Sequence, residues 1–149
     1  MGKESKRVVL DTNIFISAIL FSGKVSMIMD FWKTSAIKPV ITKEILNEII
    51  KTLAYPKFHL TEEEIYHIVQ EEILPFVEIV KVKKDKIAKG VCKDPEDDKF
   101  ITCTTSAGVD LIIGGDLDLL NIKEYKGIKI IKASKFIKQI QSLLSSVTF

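Results

Sequence analysis

The chain has little of what disulfide-rich or zinc-binding proteins depend on. It contains two cysteines and two histidines among 149 residues, which is too few for a disulfide framework or a histidine-rich zinc site. Cys92 and Cys103 form no CxxC pair, so we expect two free, buried thiols. Any chemistry has to come mainly from other side chains, above all the acidic ones.

The sequence also lacks a large charge imbalance and a long hydrophobic run. Its 22 Lys and Arg residues against 20 Asp and Glu leave a formal charge of +2, so a surface that binds a polyanion has to be local. No apolar stretch approaches the roughly 18 residues of a membrane span. Residues 1–7 lead directly into a short strand, and we therefore expect a cytoplasmic protein with no membrane segment or export signal.

The apolar content is sufficient for one hydrophobic core. Hydrophobic residues make up 46% of the chain and charged residues 28%, which excludes a disordered or low-complexity protein. The length is that of one ordinary domain. We therefore expect a single domain over residues 1–149.

Short β-branched runs alternate with helical patterns along the chain. Strands are predicted at 7–11, 37–41, 77–82, 110–113 and 128–131. Apolar spacing predicts helices at 13–21, 25–32, 43–53 and 61–75, another between Asp94 and Gly108, and a last one from Ser134. This alternation predicts an α/β fold with a mostly parallel sheet of five strands.

Two acidic residues follow predicted strands. Asp11 ends the first strand, and Asp116 lies just beyond Ile113, the last apolar residue of the fourth. The carboxyl ends of parallel strands meet at one edge of the sheet, where ligands bind. Clustered carboxylates need a counter-charge to remain ionised, and oxygen ligands favour Mg²⁺ or Mn²⁺ over Zn²⁺. The sequence therefore predicts a divalent-cation site at this edge.

Four sequence blocks resemble the PIN domain family, metal-dependent ribonucleases that include the VapC-type toxins of toxin–antitoxin pairs. The first block is VVLDTNIFIS at 8–17. The others, in matching order and spacing, are TKEILNE at 42–48, DPEDDKFI at 94–101 and GGDLDLL at 114–120. The resemblance implies a three-layer α/β/α sandwich around the sheet.

The resemblance also implies a set of catalytic, metal-binding acids: Asp11, Glu48, Asp97 and Asp116. In the second block Glu44 competes with Glu48, but the family spacing of Ser or Thr followed six residues later by Glu selects Glu48. In the third block Asp98 remains an alternative to Asp97, because some branches of the family place this acid one residue closer to the apolar run.

Further polar residues flank these acids and are candidates for orienting them: Thr12, Asn13, Asp94, Asp98 and Asp118. Lys93 and Lys99 adjoin site acids and are the candidate RNA contacts. The longer lysine series at 81–93 and 123–138 are interpreted first as solvated surface. Gly114 stands where the family commonly has Thr, so a hydroxyl that could position water or phosphate is missing.

The function implied by the resemblance is Mg²⁺- or Mn²⁺-dependent endoribonuclease activity. Metal-activated water would hydrolyse RNA phosphodiester bonds and leave a 5′-phosphate and a 3′-hydroxyl. The favoured role is the toxin of a toxin–antitoxin pair, with a cognate antitoxin and a second copy of the chain as candidate partners. The alternatives are an RNA-processing PIN nuclease outside such systems, or a catalytically silent PIN-like module that binds RNA or a partner.

A phosphoacceptor receiver is a competing interpretation from another class, because it too gathers acids at strand ends. A receiver needs two adjacent acids after its first strand and a phosphorylatable Asp after its third. Asp11 has no acidic neighbour, and the third predicted strand ends among lysines. These departures argue against a receiver.

Overall fold

The computed structural model describes residues 5–147, with side chains described as far as Ser145. Its strands are β1 (Lys6–Leu10), β2 (Ile37–Ile41), β3 (Glu78–Ile79), β4 (Leu111–Gly114), β5 (Glu124–Tyr125) and β6 (Ile128–Lys132). They form one sheet in the order β3-β2-β1-β4-β6-β5. Every pair is parallel except β5 with β6. The predicted α/β fold with a mostly parallel sheet is confirmed.

The sheet has six strands rather than the predicted five. The additional strand, β5, pairs with β6 across a two-residue turn in which Lys126 and Gly127 both have positive φ. Positive φ at both central positions is the geometry of a type I′ hairpin. A strand of two residues is too short to show alternation, which is why the pattern missed it. The third predicted strand, 77–82, is reduced to Glu78–Ile79.

Helices flank the sheet. They are α1 (Thr12–Leu20), α2 (Met27–Lys33), α3 (Lys43–Leu53), α4 (Glu62–His67), α5 (Asp98–Ala107), α6 (Leu117–Leu120) and α7 (Ala133–Val147). Thr42 caps α3 and Thr61 forms the predicted capping box with Glu64. Where one α-helix was predicted over 61–75, α4 passes into a π-helix at Ile68–Ile73. Helix α5 ends at Gly108, whose backbone has the left-handed conformation.

The core lies between the central strands and the helices that cover them. Val8, Val9 and Leu10 of β1 are all fully buried, as expected for a strand covered on both faces. Helix α5 packs against β1, β2 and β4, whereas α7 packs against β4 and β6. Cys92 and Cys103 are free and buried, as predicted.

The apolar segment formed by α1 and α2 contributes largely to this core. Phe15 and Trp32 are buried with ring centroids 5.3 Å apart, whereas Phe21 is exposed. Within the described residues, no single helix is both long and apolar enough to cross a bilayer. Among those same residues, one bent pair of helices, Thr12–Leu20 with Lys24–Lys33, meets that test by length and composition alone.

The strand order reverses between β1 and β4. From β1 the chain builds β2 and β3 on one side, whereas β4 and β6 lie on the other. Leu10 is in register with Ile113, and the Asp11 amide donates to the Ile113 carbonyl at 3.0 Å. The segments after β1 and β4 therefore emerge side by side at the position where open α/β sheets bind their ligands.

Candidate functional site

A cavity of about 220 Å³ lies at the carboxyl ends of β1 and β4. The four acids predicted as ligands, Asp11, Glu48, Asp97 and Asp116, all line it. The other lining residues are Thr12, Asn13, Thr52, Tyr55, Asp94, Glu96 and Phe100. The fold thus brings together acids from four separate sequence blocks, and we call this space the acidic cavity.

Asp11 is the most rigidly held of the four acids. Its Oδ1 accepts a hydrogen bond from the Ile14 amide at 2.9 Å and so caps α1. Its Oδ2 accepts from the Gly115 amide at 2.6 Å and, more weakly, from the Asp116 amide at 3.4 Å. Burial raises the pKa of Asp11, although the three amides oppose that effect. The Asp11 carboxylate therefore fixes the loop after β4 against the start of α1.

Asp97 and Asp116 form a closely interacting pair. Burial, a hydrogen bond with Asp116 and the negative charges of Asp116, Asp94 and Asp11 raise the pKa of Asp97 to about 7. When both carboxylates are ionised neither can donate a hydrogen bond, and Asp97 Oδ2 is then a buried oxygen with no partner among the described residues. Asp116 caps α6 by accepting from the Asp118 amide at 3.0 Å. Among the side chains that the structure describes, neither Asp97 nor Asp116 forms an ion pair with a cation.

Glu48 is paired with a cation from the protein itself. Lys99 Nζ lies 2.6 Å from Glu48 Oε2 and donates to the Glu96 carbonyl at 2.7 Å. The Thr12 hydroxyl donates to the other Glu48 oxygen. The Lys99 side chain is 6% exposed and that of Glu48 30%. Lys99, a candidate RNA contact from the sequence, is therefore buried beside a site acid instead of standing free at the surface.

The carboxylates of the cavity fit a hard divalent cation in chemical type, although several of their oxygens have other partners. In the part of the chain that the structure describes, no three His, Cys, Asp or Glu side chains form a ready-made metal cluster. The Asp11 oxygens accept hydrogen bonds from backbone amides, and the Glu48 oxygens contact Lys99 and Thr12. The donors are nonetheless all carboxylate oxygens, and Asp97 Oδ2 is buried without a partner. Asp11, Asp97 and Asp116 would hold the ion. Glu48 would join them once its ion pair with Lys99 had opened.

Asp98, the alternative third acid, has a different role. Its two oxygens accept from the Gly90 amide at 2.9 Å and the Cys92 amide at 2.8 Å. It is buried and does not line the acidic cavity. Of the two candidate acids in the third block, Asp97 lines the acidic cavity and Asp98 does not.

The remaining sequence candidates divide between the cavity and its surroundings. Asn13 lines the cavity, and Asp94 does so while capping the 3₁₀ turn Pro95–Asp97 through the Glu96 amide at 3.0 Å. Asp118 and Lys93 lie outside the cavity lining. Glu44, the competitor of Glu48, lines a neighbouring cleft instead.

Sequence reasoning missed two lining residues that follow Glu48 in the chain, Thr52 and Tyr55. Thr52 stands four residues after Glu48 on the same side of α3, so the position of Glu48 was the signal that could have found it. Tyr55 lies beyond the end of α3 at Leu53, so helical spacing does not predict it. At Gly114, the three atoms nearest to an added β-carbon would belong to Leu119 and Leu120, beginning at 3.5 Å. The β-carbon of a threonine at position 114, the residue common in the family, would therefore lie next to α6.

These features define a parallel α/β domain whose acids converge where the strand order reverses. The PIN domain family profile matches residues 7–118, a range that contains all four acids. The chain belongs to the PIN domain family, whose members are generally nucleases and typically use divalent metals. It is also similar to an uncharacterized protein of Methanocaldococcus jannaschii, with 30% identity over 128 residues that cover 83% of this chain and 79% of that protein.

Proposed function

We propose that this protein is an endoribonuclease that depends on Mg²⁺ or Mn²⁺. The observation that carries the proposal is the convergence of Asp11, Glu48, Asp97 and Asp116 on one cavity at the carboxyl ends of β1 and β4. The unpartnered Asp97 Oδ2 supports the cation requirement, because a buried anionic oxygen needs a counter-charge. A catalytically silent module would have no need for this costly arrangement.

When bound, the cation would neutralise charge on the phosphodiester and lower the pKa of the attacking water. Asp11 supplies a fixed anchor, because its oxygens are tied to α1 and to the loop after β4. Thr12 orients Glu48, and Lys99, once released, offers an ammonium to a phosphate oxygen. Neither His59 nor His67 lines the cavity, so the imidazole acid–base pair that yields a cyclic phosphate has no candidate. The expected products carry a 5′-phosphate and a 3′-hydroxyl.

A single cleavage assay tests this activity. End-labelled single-stranded RNA is incubated with the protein in millimolar Mg²⁺ or Mn²⁺ and in excess chelator, and the product ends are analysed. We expect cleavage with either metal, none in chelator and none by Asp97→Asn. Cleavage that persists in chelator, or in Asp97→Asn, would contradict the proposal.

We further propose that the enzyme acts in the cytoplasm as the toxin of a toxin–antitoxin pair. The support is the resemblance of its four blocks to VapC-type toxins. Induced expression should arrest growth, Asp97→Asn should not, and co-expression of an adjacent small antitoxin gene should relieve the arrest. RNA cleavage without growth arrest would instead assign the protein to RNA processing.

A second copy of the chain is also a candidate partner. Sedimentation of the protein with and without the antitoxin tests whether it forms a homodimer.

A further inference from the structure

A lysine-rich segment runs from the sheet towards the acidic cavity. Residues 81–93, which we call the lysine strap, include one acid, Asp85. Its lysines are Lys81, Lys83, Lys84, Lys86, Lys89 and Lys93, and all are exposed. None of them has an ion-pair partner among the residues whose side chains are described. The strap is therefore a local concentration of positive charge on a chain that is almost neutral overall.

The lysine strap follows a defined course although it contains no strand. Side chains along one face of α5 bind its backbone: Thr102 accepts from the Ala88 amide at 2.9 Å and Ser106 from the Lys83 amide at 3.0 Å. Thr105 donates to the Lys86 carbonyl at 2.9 Å. Asp98 holds two further amides, as described above. These bonds fix the backbone and leave the lysine side chains in solvent.

A cleft of about 400 Å³ lies beside the lysine strap. Val82 and Ile87 line it, although they are 41% and 50% exposed. Lys89 lines it as well, and Glu44 contributes a carboxylate. Apolar side chains at this exposure contribute little to the core and are available to the flat face of a nucleobase.

The cleft adjoins the acidic cavity. Pro95 lines the cleft, whereas its neighbours Asp94 and Glu96 line the cavity. Lys99 also lines the cleft while its ammonium reaches Glu48. A chain lying in the cleft would therefore lie next to the acidic cavity, with the Lys99–Glu48 ion pair between the two.

We infer that the lysine strap and its cleft bind single-stranded RNA on its way into the acidic cavity. The inference rests on the proposed function. An acidic cavity repels a polyanion, so the attraction has to come from cations beside it, and the exposed lysines of the strap are available to neutralise phosphates. The apolar walls would receive an unpaired base, which a duplex cannot offer. A single strand therefore fits both parts, and the proposed ribonuclease activity makes that strand RNA.

The second lysine series supplies a matched control. Lys132, Lys135 and Lys138 are also exposed and have no ion-pair partner among the described side chains. They lie at the end of β6 and on α7, and they line neither the cleft nor the acidic cavity. Replacing them removes the same charge from a different surface.

The experiment measures the fluorescence anisotropy of labelled single-stranded RNA over a salt series. Excess chelator keeps cleavage off. The strap variant Lys83→Gln/Lys86→Gln/Lys89→Gln should bind at least about tenfold more weakly at low salt, and its salt slope should fall by about 2, since each lost phosphate contact contributes ~0.7. The control Lys132→Gln/Lys135→Gln/Lys138→Gln should stay within about twofold of the parent chain. Ile87→Ser should weaken binding without changing the slope. Unchanged thermal melts confirm that each variant is folded.

Equal losses in the two triple variants, or no RNA binding by the parent chain, would overturn the inference. Tighter binding to a duplex than to the single strand would overturn the role of the cleft. Binding in chelator does not depend on catalysis, so the two proposals fail separately. Loss of RNA binding in the strap variant together with no metal-dependent cleavage by the parent chain would sink only the proposed function.

Discussion

Lys99 Nζ and Glu48 Oε2 are 2.6 Å apart, with Glu48 lining the acidic cavity and Lys99 lining the adjoining cleft. A buried ammonium needs a nearby anion, and Glu48 provides it. The same oxygen is one that a divalent cation would use. In the proposed nuclease, Lys99 and the metal would therefore compete for Glu48, and binding of the metal would require the ion pair to open.

The first prediction concerns this competition. In Lys99→Met the affinity for Mn²⁺ should rise by about fivefold, which corresponds to the ~1 kcal/mol of a partly exposed ion pair. Lys93→Met, which removes an exposed lysine near the same acids, should leave the affinity close to that of the parent chain. Isothermal titration measures both. An unchanged affinity in Lys99→Met would show that Lys99 and the metal do not compete.

The second prediction separates Asp97 from Asp11. Asp97→Asn removes a charge from an oxygen without a partner, so the metal-free melting temperature should stay the same or rise. In Asp11→Asn one carboxylate oxygen becomes an NH₂ group, which cannot accept a hydrogen bond, so one backbone N–H loses its acceptor. This loss should lower the free energy of unfolding by about 1–3 kcal/mol. Both variants should lose cleavage, whereas Glu63→Gln on α4 should change neither property. Thermal melts and cleavage rates are the measurements; equal melting temperatures for the two Asp variants would contradict the assigned contacts.

The third prediction is the pH dependence of stability without metal. The pKa of Asp97 is about 7 in the folded protein against an ordinary value of 3.8. The folded state therefore binds more protons, and the free energy of unfolding should fall as pH rises from about 4 to about 7. Mg²⁺ binds the deprotonated site, so it should raise the melting temperature more at pH 7.5 than at pH 5. Asp97→Asn should flatten the metal-free slope. Equal Mg²⁺ shifts at both pH values would contradict one shared metal site.

The fourth prediction tests the structural role of Asp98. Asp98→Ala leaves the Gly90 and Cys92 amides without their acceptor. Unfolding free energy should fall by about 2 kcal/mol or more, and hydrogen exchange should speed up at residues 83–92. The Mn²⁺ affinity should change by less than about threefold, because Asp98 lies outside the cavity. Loss of metal binding in a folded Asp98→Ala would make Asp98 the ligand instead of Asp97.

The sequence predicted the parts of the site that follow strand ends and helix starts. The positions of Asp11 and Asp116 follow from parallel pairing, because the chain leaves each buried strand at the same edge. Glu48 and Asp97 needed the family spacing, since a helix start alone does not distinguish neighbouring acids. The pairing of Lys99 with Glu48 was not predictable, because the long side chain of lysine reaches either solvent or the interior from the same backbone position. The π-helix at Ile68–Ile73 and the course of the lysine strap have no periodic signal in the sequence.

The hydrogen bonds described above between helix α5 and the lysine strap all end on the backbone of the strap. The bonds from Asp98, Thr102, Thr105 and Ser106 reach amides and one carbonyl, which every residue except proline provides in full. The fold therefore places few demands on the exposed side chains of the strap, although Cys92 belongs to the core and Gly90 has positive φ. The exposed lysines and the exposed Val82 and Ile87 are free to diverge, or to be redesigned, without loss of these bonds. In the proposed nuclease, selectivity for substrate and capacity for cleavage would thus be encoded in separable stretches of this chain.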